Sequence, residues 1–243
     1  MWSELRDLRD GQDLGTPPRS GAPVSLVVDG KPVTVPAGSS VMLAAASVRC
    51  PVPKLCATDT LEAFGSCRVC LVEIQGRKGF PAACTTLVEP GMVVTTQSPR
   101  LQELRKGVLE LYVSDFPAED LPGGWSELHE TLQQVGVTTH PYGHGENHLQ
   151  APVDDSNPYF LFDPAKCIVC SRCVRACEDI QGTFALTIQG RGFQSQVAAS
   201  QGERFLDSEC VSCGACVQAC PTQSLVEKSL FEGGYQRAQP PKA

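Results

Sequence analysis

Two stretches, FDPAKCIVCSRCVRAC from Phe162 to Cys177 and FLDSECVSCGACVQAC from Phe205 to Cys220, decide how the chain is read. Each contains C-x2-C-x2-C-x3-C, and the two are offset by 43 positions throughout, so that Cys167, Cys170, Cys173 and Cys177 recur as Cys210, Cys213, Cys216 and Cys220. Phe162 and Phe205 keep the same offset. A duplicated unit around two like sites follows. Three thiolates at two-residue spacing wrap the chain round one face of a cubane, while the fourth, on the ensuing helix, reaches the other cluster. The spacing therefore assigns Cys167, Cys170, Cys173 and Cys220 to one [4Fe-4S] cluster and Cys210, Cys213, Cys216 and Cys177 to a second. Structural zinc needs only two Cys pairs per ion and leaves the third closely spaced cysteine of each run unexplained.

Upstream lies a different set, Cys56-x10-Cys67-x2-Cys70-x13-Cys84. It is not the C-x4-C-x2-C run of plant-type ferredoxins, yet a C-x2-C pair with a distant fourth cysteine fits a [2Fe-2S] site. Gly65-Ser66 lets the backbone approach sulfide and aim N–H groups at it. From spacing alone, a four-cysteine zinc site stays open here. Cys50, the last of thirteen cysteines, follows the apolar run Val41 to Val48 and reads as a small hydrophobe. An odd cysteine count without a secretion signal points to metal-binding thiolates in a reducing compartment, hence to a cytoplasmic protein.

Length and charge narrow the remaining classes. The 243 residues allow one large or two small domains, and a net charge of -7 lacks the basic footprint of a nucleic-acid binder. The longest uninterrupted apolar stretch, Val41 to Ala46, falls far short of a membrane span. No dinucleotide-binding glycine fingerprint, P-loop or nucleophile elbow is present, so the residues offer electron carriers without a catalytic or nucleotide site of their own.

The elements read as α+β. Val24 to Val28 and Val33 to Val35 flank Asp29-Gly30, a hairpin signature, and Ser39-Ser40 caps a helix over Val41 to Val48. Leu71 to Ile74 and Met92 to Thr96 read as further strands. Ser98-Pro99 opens a helix whose packed face is predicted from Leu101, Leu104, Val108, Leu111 and Tyr112. A further helix is predicted over Trp125 to Val135. The expected organisation is a flexible arm over 1–22, a [2Fe-2S] domain over 23–98, a helical and loop linker over 99–158, a two-cluster domain over 159–226 and a tail over 227–243. His129, His140, His144 and His148 read as exposed linker histidines, since Pro141, Gly143 and Gly145 interrupt any common helical face. Arg172 and Arg175, between the cysteines, read as solvated cations, with a salt bridge or a tuning role as the alternative.

PKLCATDTLEAFGSCRVCLVEIQGRKGFPAACTT from Pro53 to Thr86, NPYFLFDPAKCIVCSRCVRACEDIQGTFALTIQGRGF from Asn157 to Phe193 and SECVSCGACVQACPT from Ser208 to Thr222 resemble a known region. It is the N-terminal iron-sulfur region of the catalytic subunit of NAD-dependent molybdenum or tungsten formate dehydrogenases. More distantly they resemble the small diaphorase subunit of NAD-reducing hydrogenases and the large iron-sulfur subunit of respiratory complex I. The resemblance covers roughly residues 24 to 226 and lowers the case for zinc at the first site. It implies a β-grasp [2Fe-2S] ferredoxin-like domain, then a two-cluster ferredoxin-like domain. The implied role is a wire between a pterin-containing catalytic subunit and a flavin subunit that reduces NAD. In those relatives the segment after the first-domain helix supplies one histidine and three cysteines for another cluster, whereas Val113 to Gln150 has no cysteine, so that cluster is expected to be absent. The pterin domain is absent from the 243 residues, which leaves a separate wire subunit or a fragment. The alternatives are a hydrogenase diaphorase subunit, or a non-catalytic assembly or redox-sensing protein.

Overall fold

The computed structural model describes residues 13–117, 121, 126–143 and 151–229. The chain divides into two compact units, one of Met1–Tyr112 with Glu130–Tyr142, the other of Val113–His129 with Gly143–Ala243.

In the first unit, β1 (Pro23–Val28) and β2 (Lys31–Pro36) pair antiparallel, Val24 opposite Val35 and Leu26 opposite Val33. The hairpin closes through Asp29 and Gly30 at φ 48° and 76°, the left-handed pair that a tight two-residue turn requires. β1 also pairs in parallel with β4 (Val93–Thr95), which pairs antiparallel with β3 (Glu73–Ile74), giving the order β2-β1-β4-β3. Helix α1 (Val41–Ser47) begins where the Ser40 hydroxyl accepts the Leu43 N–H at 3.0 Å. Its apolar residues share one core with Leu26, Val28, Val33, Val35, Val72 and Val94. A helix packed on a mixed sheet is the β-grasp arrangement that the resemblance implied.

β3 and β4 are shorter than the alternation predicted, because side chains take over where the ladder stops. The carbonyls of Leu71 and Thr96 accept from the Arg105 guanidinium at 2.6 and 2.9 Å, and the Thr96 N–H is bound by the Asp29 carboxylate at 2.7 Å. Arg105 stands on α2 (Pro99–Ser114) and corrects the predicted face of that helix. The buried positions are Leu101, Arg105, Leu109 and Val113, at helical spacing, while Leu111 is 56% exposed. An arginine occupies the middle of the stripe because two strand-end carbonyls need a donor that no neighbouring backbone supplies. Residues ahead of β1 are also anchored. The Asp13 carboxylate binds Lys54 Nζ at 2.5 Å and the N–H groups of Gly15 and Asp59 at 2.8 and 3.1 Å. Thr16 Oγ1 lies 2.7 Å from Ser40 Oγ. The Asp13 carboxyl sits below the usual carboxylate range. Burial pushes it up, and the Lys54 charge with these hydrogen bonds outweighs that push.

In the second unit, β5 (Phe160–Phe162) pairs antiparallel with β8 (Leu225–Glu227), and β6 (Leu186–Gln189) with β7 (Gln196–Ala199). Phe205 meets Phe160 and Phe162 edge-on at 5.0 and 5.9 Å, so the two phenylalanines of the sequence repeat pack directly against each other. Helix α3 (Glu127–Val135) is divided between the units, its first three residues falling in the second. Two short helices carry the later cysteines of each run: α4 (Arg172–Arg175), which continues into a π-helical turn at Ala176–Gln181, and α5 (Ala215–Ala219). Trp125, placed in the α3 helix by the sequence, lies outside the described residues, as do residues 1–12 of the predicted arm and 230–243 of the predicted tail. No helix among the described residues is long and apolar enough to cross a membrane.

Candidate metal-cluster sites

Cys56, Cys67, Cys70 and Cys84 converge in the first unit, each no more than 2% exposed. Cys70 Sγ lies 3.5 Å from Cys84 Sγ, and the Cys67 N–H points at Cys56 Sγ over 3.5 Å. The loop can turn its amides inward because Gly65 and Arg68 take φ of 75° and 57°. A Cβ at Gly65 would also stand 3.0 Å from Thr85 Cγ2, so glycine is required there twice over. The four thiols compete for protons. Hydrogen bonds from Cys67 and Cys84 hold Cys56 far below the ordinary thiol range, and Cys84 draws Cys70 down. The same bonds drive Cys67 and Cys84 far up. Four buried thiols linked by hydrogen bonds make a soft-donor set that suits a soft metal centre. Among the described residues no three His, Cys, Asp or Glu side chains meet as ligands of a single metal ion would. Four cysteines ringed by inward N–H donors fit a [2Fe-2S] cluster.

The second unit brings its eight cysteines together in a crossed pattern. Burial, then the nearby Cys170 and Cys220, push the Cys167 thiol up to about 12. Cys173, buried, is raised well above the ordinary value by burial and by Cys167, Cys170 and Cys220 before Cys216. Cys216 is pushed up to about 12 by burial and then by Cys210, Cys213 and Cys177. A small cleft, partly open to solvent, is lined by Cys177, Cys210, Cys213 and Cys216 with Phe160 and Phe205. Each fourth cysteine thus neighbours the other run. Cys213 is the one exposed cysteine among the described residues.

The repeat extends to the backbone. The Val169 N–H points at Cys167 Sγ and the Ser212 N–H at Cys210 Sγ, both over 3.4 Å. Val169 and Ser212 have φ of 52° and 55°, and Ser171 and Gly214 have 66° and 78°. A β-branched valine in the left-handed region costs about 1–2 kcal/mol. Strain repeated at equivalent positions of both runs marks a shape imposed by what the loops hold.

Arg172 corrects the expectation of a solvated cation. It is 2% exposed and donates to both carboxylate oxygens of Glu127 at 2.9 Å and to the Ala219 carbonyl at 3.3 Å, next to Cys220. Arg175 is buried too. The Leu128 N–H binds the Pro221 carbonyl at 3.0 Å, so the start of α3 is fastened to the end of the second cysteine run. His129 corrects a second expectation. It is buried, edge-on to Phe116, with Nδ1 2.7 Å from Ser126 Oγ. His140 is half-buried, and His144 and His148 lie outside the described residues. Cys50 is half-buried against the first core, its Sγ 3.8 Å from the Val48 carbonyl.

Residues 21–99 match the 2Fe-2S iron-sulfur cluster binding domain, and residues 166–224 match the 4Fe-4S dicluster domain. The fold is a [2Fe-2S]-type domain followed by a [4Fe-4S] dicluster-type domain. The chain is similar to subunit HndD of the NADP-reducing hydrogenase of Solidesulfovibrio fructosivorans, 37% identical over 214 residues, covering 84% of this chain and 36% of that protein. It is 35% identical over 213 residues to the mitochondrial NADH-ubiquinone oxidoreductase 78 kDa subunit of Neurospora crassa, covering 85% of this chain and 28% of that protein. The chain therefore spans well under half the length of these relatives. A chain in the crystal structure of an NAD+-reducing [NiFe]-hydrogenase in the H2-reduced state superposes with a TM-score of 0.76 at 27% identity, covering 90% of this chain and 91% of that one. The chain thus joins a 2Fe-2S-type and a 4Fe-4S dicluster-type domain and is similar to subunits of NAD(P)-linked oxidoreductases. Formate dehydrogenase is a narrower assignment than these likenesses carry.

Proposed function

We propose that the chain relays electrons within a cytoplasmic oxidoreductase complex, between a metal-containing catalytic subunit and a flavin subunit that exchanges electrons with NAD. The ligands are Cys56, Cys67, Cys70 and Cys84 for one [2Fe-2S] cluster, Cys167, Cys170, Cys173 and Cys220 for one [4Fe-4S] cluster, and Cys210, Cys213, Cys216 and Cys177 for another. The observation that supports this reading is the sorting of twelve cysteines into three sulfur groups, with Cys177 and Cys220 exchanged between the runs. When bound, such clusters accept and release single electrons. The chain's own part is to fix the thiolates, to aim N–H groups at sulfur and to keep water from most of it, the levers that set a potential.

The residue-level resemblance from Pro53 to Thr222 supports a formate dehydrogenase-like complex with a pterin-containing catalytic subunit. The mutual coverage with the NAD+-reducing [NiFe]-hydrogenase chain favours a second reading, a diaphorase subunit. The test is to purify a tagged chain from its native host and assay the copurifying complex with formate, hydrogen and NAD. Formate-dependent NAD reduction that disappears when Cys56, Cys67, Cys70 and Cys84 become serine supports the first reading. Hydrogen-dependent activity supports the second. A chain recovered alone, with clusters that neither donor reduces, moves it to assembly or redox sensing.

A further inference from the structure

Arg105 is 1% exposed in the middle of α2, where the neighbouring buried positions are leucines. Its Nη2 donates at 2.6 Å to the carbonyl of Leu71, the residue that follows Cys70, and at 2.9 Å to the carbonyl of Thr96. Thr96 in turn gives its N–H and its hydroxyl to the two oxygens of Asp29, at 2.7 and 2.5 Å. One connected network therefore runs from the β1–β2 turn through Thr96 and Arg105 to the peptide beside a cysteine of the four-thiol site. Two carbonyl oxygens would have been satisfied by a neutral donor, and burying a guanidinium instead is expensive unless anionic charge lies near. Burial weighs most on this guanidinium, and the fields that oppose it come from Cys70 and Asp29. Arginine keeps its proton in any such setting, so the charge is permanent.

We propose that Arg105 is a positioning residue for the [2Fe-2S] site, clamping the chain after Cys70 and placing a fixed positive charge there that raises the reduction potential. The inference rests on the reading of Cys56, Cys67, Cys70 and Cys84 as that site. Adding an electron increases negative charge at the cysteines, and a buried cation stabilises the reduced form more strongly than a solvated one would. Asp29 works against it, holding part of the arginine's field.

The test is an EPR-monitored redox titration of the full chain in wild-type and variant form. Arg105→Met should lower the midpoint of the two-iron signal by about a tenfold shift in the reduction equilibrium or more, which is about 59 mV for one electron. Arg105→Lys, which keeps the charge and gives up the planar fork, should stay close to wild type in potential while losing thermal stability. Asp29→Asn, whose amide oxygen still accepts the Thr96 N–H, should move the midpoint upward. A merely structural network predicts cluster loss, or shifts of the same sign, for both R105M and D29N. An unchanged midpoint in R105M, or a downward shift in D29N, overturns the proposal. If R105M fails to hold its cluster, R105K and D29N decide by the same criteria. A wild-type chain with no two-iron signal overturns the site assignment itself, and the proposal with it, before any variant is compared.

Discussion

Arg172 shows how much of the second unit depends on a single side chain. It spans from Glu127, at the start of α3, to the carbonyl beside Cys220, while standing next to Cys173. Removing the arginine leaves a carboxylate three-quarters buried without its fork, so Arg172→Met should cost about 2–3 kcal/mol. Pairing it with Glu127→Gln should recover part of that loss, a coupling measurable by anaerobic urea unfolding in a double-mutant cycle. The crossed ligands make a sharper prediction. Cys220→Ser should abolish the signal of the cluster held by Cys167, Cys170 and Cys173, and Cys177→Ser that of the cluster held by Cys210, Cys213 and Cys216. Low-temperature EPR showing each substitution confined to the cluster of its own run would reverse the assignment. The cysteine runs stand out in the sequence because ligand spacing is local. The burial of Arg172 and Arg105 does not, because each is settled by partners on other elements, and a charged residue beside apolar ones reads from sequence as lying off the packed face.

Among the elements, the hairpin and α1 follow from short-range chemistry: Asp29-Gly30 supplies the left-handed pair and Ser40 the cap. β3 and β4 depend on what lies across the sheet, and their ends are set by Arg105 and Asp29, which no alternation pattern records. The cluster loops are the other extreme. They have no ladder and hold their shape through positive φ angles and N–H groups turned toward sulfur. Gly65→Ala places a Cβ in the left-handed region and against Thr85, and should destabilise the first loop by about 1–2 kcal/mol. Its effect should be local. Iron and sulfide analysis with EPR should find the two-iron signal diminished and the four-iron signals intact, whereas equal loss of all signals would mean that the loop is not an independent site.

For the whole molecule, the central claim is that three sulfur groups hold three clusters of two kinds, and that the chain's chemistry is the passage of single electrons. The two domain matches agree with the cysteine patterns on which kind of cluster each unit takes. The proposed donor and acceptor have no signature in spacing or periodicity. The most direct measurement is Mössbauer spectroscopy of the iron-57-labelled full chain, purified anaerobically, with iron and zinc quantified in the same sample. The account predicts about ten irons per chain, with about one fifth of the spectral area in the localised ferric pair of an oxidised [2Fe-2S] site and the rest in delocalised [4Fe-4S] sites. Stoichiometric zinc in place of the ferric pair, or iron that accounts for a single four-iron cluster, would contradict it.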